Sequence, residues 1–161
     1  MLKRNTIHWL LLAHLVWLYC SPVFAAPVKT PPPGTQDRCP VCGMFVAPYP
    51  SWLATVQLDD QTMLYFDGPQ DMFNYLEDRE TYHPGQTPPA INAVYVTDYY
   101  TRQTFPAGDV FFISGSDVLG PMGHERVPVA GDSSLKTFLQ DHGGDKVEIY
   151  REDQLKEIPA P

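Results

Sequence analysis

The stretch 68-GPQDMFNYL-76 returns in altered form as 131-GDSSLKTFL-139. Aligned on Gly68 and Gly131, Met72 falls on Leu135 and Tyr75-Leu76 on Phe138-Leu139. Apolar residues three and four apart mark one face of an amphipathic helix. Pro69 suits a first helical turn, and Asp132 is expected to cap the second copy. The pattern predicts a helix of about three turns over 69–80 and another over 132–142, stopped by Gly143-Gly144.

The flanks repeat as well. Before the first copy, Trp52 to Leu58 and Met63 to Phe66 are rich in aromatic and branched residues, with Asp59-Asp60-Gln61 between them, and read as a β-hairpin. Ile91 to Val96, Val110 to Ile113 and Lys146 to Tyr150 read as further strands. Residues 114–129, SGSDVLGPMGHERVPV, read as a glycine-rich loop ending in a short extended piece. Two related strand, strand, helix halves of this kind predict an α+β domain with mostly antiparallel sheet.

The N-terminus has Lys3 and Arg4, an apolar run from Ile7 to Tyr19 and the small-residue site Val23-Phe24-Ala25, the make-up of a secretory signal cleaved after Ala25. The run is shorter than the roughly 20 residues of a membrane span and is broken by His8 and His14. Cys20 could carry a lipid, but Tyr19 stands where a lipid-attachment signal wants a small residue. The chain therefore divides into a signal peptide over 1–25, a proline-rich tether over 26–38 and a single domain over 39–161. Two of the eleven basic residues lie in the signal, leaving nine against nineteen acidic ones and a net charge of −10. That charge disfavours nucleic acid and anionic membrane as partners.

The remaining cysteines stand in 39-CPVCGM-44. Two cysteines three apart cannot staple distant segments, but they can close a local disulfide outside the cytoplasm. A thioredoxin-like site needs a helix after the first cysteine, which Gly43, Pro48 and Pro50 oppose, and haem attachment needs His where Gly43 stands. Zinc would need further ligands, with His83, His124 and His142 as candidates. Met44 points to Cu(I) instead, because a thioether serves that ion well and zinc poorly. A second soft pair, Met122 and His124, sits in the permissive loop 120-GPMGHE-125. Met63 and Met72 fall on the strand and helix patterns and are assigned to the core.

Together, CPVCGMFVAPYPSWLATV, TMLYFDGPQDMFNYL, AVYVTDYY and GSDVLGPMGHERVP resemble the NosL family over nearly the whole mature chain. The resemblance implies a periplasmic Cu(I) chaperone, not an enzyme. Its partners would be nitrous oxide reductase and a membrane ABC-type maturation complex. It also implies two ββαβ-like halves, similar to the core of organomercurial lyase. The family motif maps onto Cys42, Met44, Met122 and His124, with Cys39 as an additional sulfur. Many members resemble lipoproteins, whereas Tyr19 leaves anchoring through Cys20 unsupported here. The competing readings are a thiol-disulfide oxidoreductase and a metal-free interaction domain with a Cys39-Cys42 disulfide.

Overall fold

The computed structural model describes residues 26–160. The signal peptide, its cleavage site and Cys20 lie outside them. Segment 26–38 runs mostly without regular structure, yet it lies against the domain. Val28 N–H donates to the Thr104 carbonyl at 2.8 Å, and the Tyr65 hydroxyl donates to the Pro31 carbonyl at 3.1 Å.

The first half contains β1 (Ala54–Leu58), β2 (Met63–Phe66), α1 (Pro69–Glu77), the short α2 (Arg79–Tyr82), β3 (Ile91–Thr97) and β4 (Thr104–Pro106). The second contains β5 (Phe111–Ser114), the small pair β6 (Leu119–Gly120) and β7 (Gly123–His124), β8 (Val127–Val129), α3 (Asp132–His142), β9 (Lys146–Arg151) and β10 (Gln154–Ile158). The two four-stranded sheets run β2-β1-β3-β4 and β8-β5-β9-β10, the same order with β8 in the place of β2. All their pairings are antiparallel. The register repeats too. Ala54 lies between Phe66 and Val96, as Phe111 lies between Val129 and Ile149.

The predicted repeat is thus present in three dimensions, with one strand more per half. Both extra strands are edges with weak sequence marks. β4 is three residues ending in Pro106. β10 is mostly polar and follows a turn in which Glu152 and Asp153, not glycines, hold positive φ of 52° and 59°. The loop over 114–129 contains the β6–β7 pair as well as β8. The first helix is shorter than its pattern suggests: it ends at Glu77, and Asp78 starts a new turn by accepting from the Thr81 N–H and hydroxyl. Asp132 does not cap α3, because Gly131 holds the cap position with φ +85°.

Met72 is fully buried, and Met63 is half-buried against the same core. One apolar cluster spans both halves, since it joins β1, β2, α1 and β3 to Val110, Phe112 and Tyr150. Phe73 of α1 makes that junction, edge-on to Phe112 with ring centroids 4.8 Å apart and 5.7 Å from Tyr150. Its counterpart in α3 is the exposed Lys136, and α3 meets the first half through Phe138 instead, edge-on to Tyr99 with ring centroids 5.3 Å apart. The N-terminal end of α1 is thereby fixed against the cysteine loop.

Candidate metal centre

Residues 38–45 form a tight knuckle. Arg38 and Phe45 pair as an antiparallel bridge. Cys39 N–H donates to the Met44 carbonyl at 2.8 Å, and Gly43 N–H donates to the Cys39 carbonyl at 2.9 Å. Gly43 permits this reversal by holding φ +76°. The Arg38 guanidinium clamps the outside, donating to the Gly43 carbonyl at 2.8 Å and standing 3.7 Å from the Phe45 ring centroid. Inside the turn, backbone N–H groups of Cys42 and Val41 face the Cys39 sulfur, and that of Met44 faces the Cys42 sulfur. N–H groups aimed at sulfur favour the thiolate, the form that binds metals.

Two carboxylates from the start of α1 meet the two sulfurs. The Cys39 thiol donates to Asp71 Oδ2 at 3.3 Å, and the Cys42 thiol donates to Asp67 Oδ1 at 3.3 Å. One donor atom from each of the four residues lies within 4.8 Å of the other three. Cys39 is 2% exposed and Asp67 1%, while Cys42 is half-buried and is the sulfur nearer to solvent. Both thiols are free. Burial pushes the Cys42 thiol up to about 11 and the Cys39 thiol further still, outweighing the backbone N–H groups. Both are protonated in the metal-free protein at neutral pH, so an arriving ion must displace their protons.

Why α1 carries two buried carboxylates at its start follows from helix electrostatics. Asp71 stands in the first turn, where the exposed N–H dipoles favour a negative charge. A third carboxylate reaches the same helix end from the other half. Glu125 is 6% exposed and accepts from the N–H groups of Gln70 and Arg126. It supplies the capping acceptor that Gly68 lacks. Burial, reinforced by the charges of Asp71 and Asp67, pushes the Glu125 carboxyl up to about 7.

Glu125 also roots the β6–β7 hairpin beside the cysteine centre. The tip of that hairpin presents Met122, 57% exposed, and His124 is exposed on β7. Met122 therefore does not complete the core edge. Met44 is half-buried in the knuckle. The structure brings Cys39 and Cys42 into one group and leaves the His124 imidazole outside that 4.8 Å set. His83 and His142 are engaged elsewhere, His83 with the Tyr75 hydroxyl at 2.9 Å and His142 with Asp117 at 2.9 Å. Asp67 and Asp71 were not candidates from sequence. Their sign was the placement of 67-DGPQD-71 at the start of a helix, which carries no metal-ligand spacing by itself.

The centre can do one kind of chemistry well: hold a metal ion with soft sulfur donors next to groups that accept the thiol protons. No helix among the described residues is long and apolar enough to cross a membrane. Residues 32–157 match the NosL family. The fold is similar to the crystal structure of the copper chaperone NosL from Shewanella denitrificans, with a TM-score of 0.63 and 22% identity, over 80% of this chain and 96% of that one. No curated protein matches the chain.

Proposed function

The chain belongs to the NosL family, and from that premise we propose that it is a periplasmic copper chaperone that carries Cu(I) to the maturation of nitrous oxide reductase. The observation that carries this reading is the knuckle, with two free thiols, N–H groups aimed at both sulfurs and a half-buried Cys42 open to an incoming ion. Cu(I) is cargo here, and neither its binding nor its release breaks a covalent bond of a substrate.

Cys42 supplies the anionic sulfur, and Met44, two residues on, supplies a thioether. Met122 and His124 stand exposed on a hairpin rooted at the same helix end, where they can join the ion or pass it on. One thiolate with neutral thioether or imidazole donors makes a neutral complex with Cu(I), which favours exchange into a partner's soft ligands. The partners are the reductase and its membrane ABC-type complex. The acidic mature chain suits a basic docking face. Export with cleavage after Ala25 places the protein free in the periplasm. An acylated Cys20 in the mature protein would overturn that part.

The test is maturation in cells. In a strain lacking this protein, the reductase is expected to accumulate without its full copper. An exported wild-type copy restores it, and an equally abundant Cys42→Ala copy does not. Full metallation in the absence of the protein, or full rescue by Cys42→Ala, would refute the reading.

A further inference from the structure

Cys39 and Cys42 differ sharply in access. Cys39 is 2% exposed, whereas Cys42 is half-buried in a turn whose tip, Pro40 and Gly43, is open to solvent. The Gly43 N–H, donating to the Cys39 carbonyl at 2.9 Å, closes that turn, and the two sulfurs lie within 4.8 Å of each other as free thiols. A disulfide holds its sulfurs about 2.05 Å apart, so forming one draws them together inside a single turn and leaves both sheets as they are. In an oxidising compartment such a pair is driven to close. The closed pair has no thiolate to offer a metal.

Reopening the pair has a direction that the structure sets. Exchange runs by attack of a thiolate on one sulfur of the disulfide, with a mixed disulfide as intermediate and the other sulfur leaving. Solvent reaches Cys42 and not Cys39, so the attacked sulfur is Cys42 and the leaving sulfur is Cys39. The backbone N–H groups of Cys42 and Val41 face the Cys39 sulfur and stabilise the charge with which it leaves. Once it regains a proton it donates again to Asp71 Oδ2, as the Cys42 thiol does to Asp67 Oδ1. A closed disulfide deprives both buried carboxylates of these donors, which costs stability. The fold therefore leans toward the dithiol once a reductant can act.

The kind of reductant follows from the same arrangement. A monothiol that attacks Cys42 stalls, because the freed Cys39 sulfur lies beside the mixed disulfide and expels it. A dithiol goes forward, since its second thiolate attacks its own first sulfur and releases Cys42. We propose that Cys42 is the sulfur through which an external dithiol reduces a Cys39-Cys42 disulfide, and that this exchange is the class of reaction that must precede copper loading. The dithiol gives up two electrons and two protons and becomes a disulfide; Cys39 and Cys42 receive them and end as two thiols. The exchange itself rests on the geometry of the knuckle, and only its place before copper loading rests on the exported chaperone reading.

The experiment uses the mature chain, oxidised with diamide and freed of the reagent. Oxidised wild type is pulsed with glutathione, quenched in acid and read by fragment-ion mass. Glutathione is expected on Cys42 with a free thiol at Cys39, as a minor species, while dithiothreitol converts the whole sample to the dithiol. Cys39→Ser removes the internal nucleophile, so with oxidised glutathione this variant should accumulate a stable mixed disulfide at Cys42. Cys42→Ser should react at least about 10-fold more slowly at the buried Cys39, and the two variants should react alike when unfolded in guanidinium chloride.

Wild type that forms no internal disulfide under diamide, a disulfide that dithiothreitol leaves closed, glutathione found on Cys39, or a folded Cys42→Ser protein that reacts as fast as Cys39→Ser would overturn the proposal. The pulse on wild type needs no variant, so a misfolded mutant does not shelter it. The expected exchange, with a dithiol form that takes up no Cu(I), would leave the exchange standing and remove the chaperone reading. Cu(I) uptake without the expected exchange would remove this proposal alone.

Discussion

Gly68→Ala is the substitution whose outcome the structure sets most tightly. The backbone at Gly68 is extended, with φ −162° and ψ 159°, a conformation alanine adopts without strain. Replacing glycine there would by itself stabilise slightly, by about 0.4–1 kcal/mol through the unfolded chain. Space decides otherwise. A Cβ at position 68 would lie 2.1 Å from Glu125 Oε2. The carboxylate must then leave the start of α1, and the N–H groups of Gln70 and Arg126 lose their acceptor. Two such bonds contribute roughly 3 kcal/mol together, so the net cost is about 2 kcal/mol, or about 6–8 °C in Tm for a domain of this size. The check is a double-mutant cycle with Glu125→Ala, followed by urea unfolding of the reduced protein. With Glu125 already gone, Gly68→Ala should be neutral or slightly stabilising, giving a coupling of about 2–3 kcal/mol. An equal cost of Gly68→Ala in both backgrounds would show that Glu125 does not occupy that space.

Other outcomes follow from the same contacts. Because burial raises the Glu125 carboxyl from 4.5 to about 7, the folded chain holds its proton where the unfolded chain has lost it. Glu125's contribution is full below pH 4.5 and lost as pH rises to about 7. It amounts to about 3 kcal/mol, and the Glu125→Gln protein, followed by melts across this range, should lack that fall. Gly43→Ala places a Cβ at φ +76° with open space around it. It should destabilise by about 1 kcal/mol through backbone strain alone, a result readable in chemical denaturation; a loss above about 3 kcal/mol would point to packing that the knuckle does not show. Oxidation to a Cys39-Cys42 disulfide removes both thiolates, so the oxidised protein should compete for Cu(I) far less well than the reduced one and recover on reduction. Equal binding by the two forms would exclude thiolate ligation.

The architecture was legible because apolar spacing is a local property. Met72 and Tyr75-Leu76 against Leu135 and Phe138-Leu139 disclosed both helices and their equivalence, and the register of the two sheets bears this out. What the chain concealed lay at edges and across distance. β10 turns on Glu152-Asp153, which lacks the glycine that usually marks such a hairpin. The second shortfall was the pair of carboxylates that meet the two thiols. Asp67 stands 25 positions from Cys42, and Asp71 stands 32 from Cys39. They meet through the packing of α1, which Phe73 ties to the second half and Met72 and Tyr75 bury in the shared core. Cys42 and Cys39 announced themselves by spacing, whereas an aspartate near a helix start reads first as a dipole partner. Glu125 was hidden for the same reason, since its role depends on a helix in the other half of the fold.

The proposed function centres on the half-buried Cys42 thiolate as the group that would hold the cargo. The most direct measurement is anaerobic competition for Cu(I) between a chromophoric chelator and the reduced protein, on wild type and on the Cys42→Ala, Met44→Ala, Met122→Ala and Cys39→Ala variants. The result expected is one Cu(I) per chain in wild type, the deepest loss for Cys42→Ala, losses of about 10- to 100-fold for the two methionine variants, and the mildest effect for Cys39→Ala. No Cu(I) drawn from the chelator by wild type, or a Cys42→Ala protein that binds as tightly as wild type, would contradict it.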